Sequence, residues 1–147
     1  MTQQSLTDRT AFLANKIGVL LEKAAEKRLA ELGLNTRTFF VLAAISGESP
    51  PSQKDLSRLL GIDPTLVVAL IDELQESELV IRSRNPSDRR RYELRLTPEG
   101  YSKLARANAM MGEIEKDFFA PLTEHQLGQF RVVLQALIKD RWPPKTG

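Results

Sequence analysis

The sequence of 147 residues contains no cysteine, a single histidine and only eight scattered glycines. The lack of cysteine excludes disulfides, thiolate metal sites and thiol-based redox sensing, and His125 alone leaves a histidine zinc site without partners. No glycine-rich phosphate loop and no histidine–carboxylate constellation is present, so an enzyme is the least favoured class. No apolar run approaches the roughly 20 residues that a membrane span needs, and the first ten residues lack the features of a secretory signal. We expect a cytoplasmic protein without metal, cofactor or membrane segment.

Charge is nearly balanced overall, with 21 basic and 19 acidic residues, but it is unevenly distributed. Residues 82–95 contain six arginines against two acidic residues, which gives this short segment a net charge of +4. The preceding residues 63–78 contain five acidic residues and no basic one. An arginine cluster of this density is a candidate contact for a polyanion. The alternative interpretation is a solvated hairpin tip.

Apolar residues recur at three- and four-residue spacing through most of the chain, which predicts a mostly α-helical protein. The first helix begins near Thr7 and Asp8, both good capping residues, and Gly33 ends it. The expected helices cover residues 7–32, 36–45, 53–60, 64–78 and 98–118, with a last one after the Thr123 capping box. Nearly 26 residues is long for a first helix in a small domain, and such terminal helices often bury an apolar face against another chain.

The period changes to two after Glu78. Residues 79–84 and 92–96 read as two strands, and Asn85-Pro86-Ser87-Asp88 between them is typical of a turn. They form a β-hairpin with arginines at its tip. Two short helices joined by a tight turn, followed by such a hairpin, indicate a winged helix-turn-helix.

This arrangement is suited to binding DNA. A helix fits the major groove with its N-terminal residues toward the base edges. The hairpin, or wing, places an arginine where a narrow minor groove concentrates negative potential. Helix N-termini such as those at Thr36 and Ser52 donate backbone N–H groups to phosphates.

The order of these elements resembles the MarR (multiple antibiotic resistance regulator) family of bacterial transcription factors. The likeness covers essentially the whole chain, and its most specific part is the wing, with its Asp-Arg-Arg tip and Leu-Thr-x-x-Gly exit. The residues that carry it are 52–62, 74–80, 85–91 and 94–100.

The resemblance implies a homodimer that binds a roughly palindromic operator. Residues 36–97 would form the winged helix-turn-helix core of one domain covering 1–147, and 7–32 and 98–141 the dimerisation helices. Arg90 would enter the minor groove, oriented by a charge-assisted hydrogen bond that the Asp88 carboxylate accepts. The residues expected at the DNA are Thr36, Ser52, Gln53, Lys54, Pro64, Thr65, Val68, Ala69, Asp88, Arg89, Arg90 and Arg91.

Two positions depart from the family pattern. Ala69 stands where a basic or polar residue is common in the recognition helix, so contacts to base edges should be few. Glu78 stands where a glycine usually ends that helix. It must either adopt a left-handed conformation or end the helix differently.

Effector pockets in this family lie between the dimerisation helices and the winged domain, and Lys16, Ile17, Phe40 and Met111 are candidates to line one. Trp142 is expected to be a terminal anchor against the helical domain. The leading function is a dimeric DNA-binding repressor that a small ligand releases from double-stranded DNA. The alternative is a winged-helix protein-interaction module without operator binding, in which the acidic helix meets a protein partner.

Overall fold

The computed structural model describes residues 5–143 and contains six α-helices and one antiparallel hairpin in that range. The predicted fold class, mostly α-helical with a small β-hairpin wing, is confirmed. In chain order the elements are α1 (Thr10–Leu29), α2 (Thr36–Ile45), α3 (Gln53–Leu60), α4 (Pro64–Glu76), β1 (Val80–Arg84), β2 (Tyr92–Leu96), α5 (Pro98–Phe118) and α6 (Glu124–Ile138), with 3₁₀ turns at Leu6–Asp8 and Ala30–Leu32.

The first helix is shorter than the sequence predicts. Thr7 and Asp8 lie in a separate 3₁₀ turn, where the Ser5 hydroxyl accepts a hydrogen bond from the Thr7 N–H. Arg9 is extended, so α1 begins only after it. The expectation of one continuous helix over 7–32 is therefore wrong at its start, because small polar residues close a local turn in competition with the helix. The predicted stop is correct, since Gly33 adopts a left-handed conformation with φ of 70°.

Side-chain caps define the starts of the helices in the winged domain. Asn35 and Ser52 each form a capping box, with Thr38 and Asp55 respectively. The Asp63 carboxylate accepts the Thr65 N–H at 2.8 Å, and a proline occupies the first position of α4. Each such cap stabilises its helix by about 1 kcal/mol. Together they fix α3 and α4 as separate short helices around a tight turn.

The wing joins the domain through a close backbone contact at its base. Glu78 has φ of 61°, so it takes the left-handed conformation itself. The Thr97 hydroxyl donates to the Glu78 carbonyl at 2.6 Å, and the Thr97 N–H donates to the Leu79 carbonyl at 3.0 Å. At Gly100 an added Cβ would lie 2.1 Å from the Leu79 oxygen, so only glycine fits there. The two strands pair from Val80 opposite Leu96 outward.

The hydrophobic core lies where α1 to α4, the base of the wing and α5 meet. Leu29, Leu42, Leu56, Ile71 and Leu94 are fully buried and come from five different elements. In contrast, no residue of α6 is buried within this single chain. Within residues 5–143, no helix combines the length and apolar character needed to cross a lipid bilayer.

Candidate nucleic-acid interface

The outward face of α4 is small and mostly apolar. Pro64, Thr65, Val68 and Ala69 are all exposed, while the apolar stripe on the opposite face is buried in the core. One hydroxyl and three small apolar side chains can contact thymine methyl groups, but they cannot make the bidentate bonds that identify guanine. The helix therefore offers shape and little hydrogen bonding to the bases.

The tip of the wing is built by Asn85 and Asp88. The Asn85 N–H donates to the Arg91 carbonyl at 2.8 Å, which closes the loop. The Asp88 carboxylate accepts the backbone N–H of Arg90 at 3.0 Å. The interpretation that Asp88 orients the Arg90 side chain is corrected here, because its carboxylate shapes the loop backbone instead. The three consecutive arginines from Arg89 are left exposed.

The start of α3 and the tip of the wing form one groove. A cavity of about 280 Å³ lies between them, and this groove is lined by Ser52, Gln53, Lys54, Asp55, Arg90, Arg91 and Tyr92. The first intrahelical bond of α3 runs from the Leu56 N–H to the Ser52 carbonyl, so the amides of Gln53 and Lys54 precede it. Such amides are suited to binding a phosphate oxygen beside an arginine.

Asp55 balances the charge of this groove from within. Its carboxylate accepts the Ser52 N–H at 3.0 Å. This backbone bond is the main reason why the pKa of Asp55 is lowered, and the Ser52 hydroxyl and the charges of Arg58 and Arg91 lower it further. Asp55 thus remains ionised at neutral pH and contributes a negative charge to the groove.

Arg82 does not belong to the free arginine cluster that the sequence suggests. Its guanidinium donates to the Asp72 carboxylate of α4 at 2.9 Å, and its side chain is only 20% exposed. The Tyr92 ring lies about 6 Å from the guanidinium carbons of both Arg82 and Arg84. The ion pair of Arg82 therefore connects the wing to α4, and Tyr92 lies against the two arginines within the wing. Sequence reasoning missed both roles, because Asp72 and Tyr92 lie ten residues from Arg82 on different elements.

Thr36 is not available to DNA, which corrects its place among the expected contacts. Its N–H and its hydroxyl both donate to the Glu26 carboxylate of α1, at 2.9 and 2.5 Å. The side-chain bond from Thr36 is the main cause of a lowered pKa at Glu26. Thr36 instead lines a cavity between α1, α2 and α5.

That cavity has a volume of about 620 Å³ and contains two of the four residues suggested as a ligand pocket. Phe40 and Met111 line it, but Lys16 and Ile17 do not. The Lys16 ammonium lies 5.8 Å from the centre of the Phe12 ring on its own helix. Ile17 lines a neighbouring apolar cavity between α1 and α6. The two cavities adjoin each other, because Gly18 and Leu21 of α1 line both.

Trp142 makes a hydrogen bond to a distant helix. The Trp142 indole N–H donates to the Leu59 carbonyl at the end of α3. It therefore anchors the segment after α6 to α3, a helix of the winged domain, in line with the expected role of a terminal anchor.

This architecture is shared with proteins of known structure. The chain matches the crystal structure of a MarR-family transcriptional regulator from Rhodococcus sp. RHA1 with a TM-score of 0.83 and 30% identity, covering 92% of this chain and 96% of that one. The chain belongs to the MarR family. The MarR family profile itself matches residues 32–91, which include the helix-turn-helix and most of the wing.

Two further proteins are similar to this MarR-family chain. CouR from Rhodococcus jostii RHA1, in a structure bound to p-coumaroyl-CoA, is 30% identical with a TM-score of 0.83, covering 99% of this chain and all of that one. A putative transcriptional regulatory protein for the hcr operon of Thauera aromatica is 30% identical over 107 residues, or 73% of this chain. The chain spans 64% of that relative's length.

The part of this MarR-family chain that the structure describes contains no candidate metal-binding site. Over residues 5–143, no three histidine, cysteine, aspartate or glutamate side chains come together in a way that could hold a metal ion. Its relatives are transcriptional regulators.

Proposed function

We propose that this MarR-family protein is a homodimeric, cytoplasmic repressor that binds a palindromic operator and is released from it by a small ligand. The observation that carries the proposal is the groove between α3 and the wing. It combines two helix-start amides with Arg90 and Arg91, and α4 presents its exposed face beside it. Each wing would then contact the backbone and minor groove of one half-site, while α4 lies in the major groove.

Exposed apolar side chains on the terminal helices support the homodimer. Val132, Val133, Leu137 and Ile138 of α6 are 47–63% exposed, and Leu20 of α1 is 50% exposed. Exposed apolar side chains concentrated on terminal helices in this way are typical of an interface between subunits. A second copy of the chain would bury it and set the two wings at a fixed spacing, which the half-site spacing of a palindrome requires.

The proposed release by a ligand is supported by the position of the cavity. The cavity lies between α1, α2 and α5, where the helices expected to dimerise meet the winged domain. A ligand that binds better to one spacing of the two wings than to the other shifts the dimer away from its DNA-binding form. CouR, which shares 30% identity, has been crystallised with a bound ligand.

The alternative function, a protein-interaction module, rests on the acidic residues of α4. The ion pair with Arg82 compensates the charge of Asp72 at the surface, while Glu73 and Glu76 stay exposed. Salt dependence separates the two functions. Release of counterions from DNA gives a log–log slope of about −0.9 per phosphate contact, whereas a small protein interface gives a much shallower one.

The test is a fluorescence-anisotropy titration of the DNA that flanks the protein's own gene, repeated at several salt concentrations. The proposal predicts saturable binding by a dimer, steep in salt, with scrambled DNA of the same length as the control. Binding that is absent at low salt, or equal on scrambled DNA, would contradict sequence-specific operator binding.

A further inference from the structure

The cavity between α1, α2 and α5 is open because of glycines inside two helices. Gly18 of α1 and Gly112 of α5 both line it, and a Cβ added at either position would meet no atom within 4 Å. Glycine in a helix interior is destabilising relative to alanine. These residues therefore leave space that larger side chains could fill. Around them the apolar wall comes from Leu21, Phe39 and Met111, among others.

The charged residues that line the cavity are both acidic, and Asn108 is the one lining side chain with free hydrogen-bond donors in the described part of the chain. Glu22 of α1 and Glu115 of α5 contribute carboxylates, and Asn108 contributes an amide. The Thr36 hydroxyl donates its proton to Glu26, so it presents only its lone pairs to a ligand. No lysine, arginine or histidine is among the residues that line the cavity in the described part of the chain.

The surroundings reinforce this negative character. Glu26 lies directly behind Thr36, and the hydrogen bonds from Thr36 lower its pKa, so it is ionised at neutral pH. Arg37 interacts electrostatically with Glu26 but does not line the cavity. A carboxylate ligand would thus lose hydration and meet like charges without a cationic partner.

Building on the ligand-released repressor proposed above, we propose that this cavity selects an apolar ligand whose polar end donates hydrogen bonds. An amine should bind most tightly because it is attracted to Glu22 and Glu115. An alcohol or phenol should bind less tightly, since it donates one bond without charge. A free carboxylate of the same size should bind most weakly.

Three probes of matched shape test the order: 2-phenylethylamine, 2-phenylethanol and 3-phenylpropionate, each titrated into the full chain by isothermal calorimetry. The amine is expected to bind at least about tenfold more tightly than the carboxylate. Glu22→Gln and Glu115→Gln should reduce that preference. Glu31→Gln is the matched control, because Glu31 is exposed and lies outside the cavity.

Gly112→Leu shows whether binding occurs in this cavity. Its side chain would enter open space and occupy the cavity, so the amine should no longer bind. Equal or tighter binding of the carboxylate, no binding of the amine at millimolar concentration, or amine binding that persists in Gly112→Leu would each overturn this proposal. Operator binding is measured on the same preparation. If it is intact while the probes fail, only the ligand class is wrong; if it is absent, the proposed function fails instead.

Discussion

Single residues decide how the wing is attached to the domain. Glu78 takes a left-handed conformation that glycine would adopt at lower cost, and the Thr97 hydroxyl stabilises it by donating to its carbonyl. Gly100 leaves room for the Leu79 carbonyl. The exit from the wing therefore needs threonine and glycine three residues apart for a packing reason that is independent of DNA.

Gly100→Ala tests this packing. The added methyl group would overlap the backbone oxygen of Leu79, which cannot move without shifting the wing, so we expect a loss of about 1–3 kcal/mol in the free energy of unfolding. Gly112→Ala is the control, because its methyl group meets nothing and should leave the protein equally stable or up to about 1 kcal/mol more stable. Urea denaturation measures both. Equal stabilities for the two variants would contradict the close contact.

Glu26 makes stability depend on pH in a defined direction. Hydrogen bonds from Thr36 lower its pKa in the folded protein, so the ionised carboxylate stabilises the fold above its ordinary pKa. That contribution is lost as the pH falls through the lowered value. Glu26→Gln should therefore destabilise the protein at about pH 7 and much less at about pH 3. Denaturation midpoints of both proteins at the two pH values provide the measurement, and a difference that is the same at both would contradict the interpretation.

At the scale of elements, the ion pair between Asp72 and Arg82 couples the recognition helix to the wing. If the pair positions the wing, Asp72→Asn should weaken operator binding several-fold, although it removes a negative charge from the surface that faces DNA. Its cost to folding should stay below about 1 kcal/mol, since Asp72 is 58% exposed.

Glu73→Gln is the matched control for Asp72→Asn. It removes the same charge from the next residue of α4, which is also exposed. A general electrostatic effect would strengthen operator binding equally in both variants, and anisotropy titrations would show this. Such equality would contradict a positioning role for Asp72.

The whole molecule has an unpaired apolar surface on α1 and α6, and its burial is the basis of the proposed dimer. Val133→Asp should place a charge in that interface and convert the dimer to monomers, with the loss of operator binding that follows. Gln135→Asp lies on the polar stripe of the same helix, between Arg131 and Lys139, and should leave the dimer intact. Sedimentation velocity distinguishes the two. A dimeric Val133→Asp protein would show that α6 is not the interface.

Local sequence signals made the helices and strands predictable. Side-chain contacts between segments far apart in the sequence could not be predicted in this way. The capping residues Ser52, Asp63 and Thr123 mark helix starts within four residues of sequence, and the hairpin follows from its turn. The same short-range logic failed at Thr7 and Asp8, where a local turn competed with the helix. The spacing of apolar residues along the chain cannot reveal whether a polar side chain is already hydrogen-bonded within the fold.

The site shows this limit most clearly. Thr36 and Arg82 both have side chains typical of DNA contacts, but partners ten residues away, Glu26 and Asp72, already bind them. Gly18 of α1 and Gly112 of α5 line the same cavity. They do so only because α1 packs against α5, which the sequence alone does not show. Only the packed structure brings such pairs together.

The most direct test of the central claim is the operator affinity of Arg90→Ala compared with that of Arg106→Ala. Both variants lose one exposed arginine, but Arg90 lies at the tip of the wing and Arg106 on α5. In fluorescence anisotropy at fixed salt, Arg90→Ala should weaken binding by about 1–3 kcal/mol, and Arg106→Ala should remain close to the wild type. Equal affinities for Arg90→Ala and the wild type would contradict a wing that binds operator DNA.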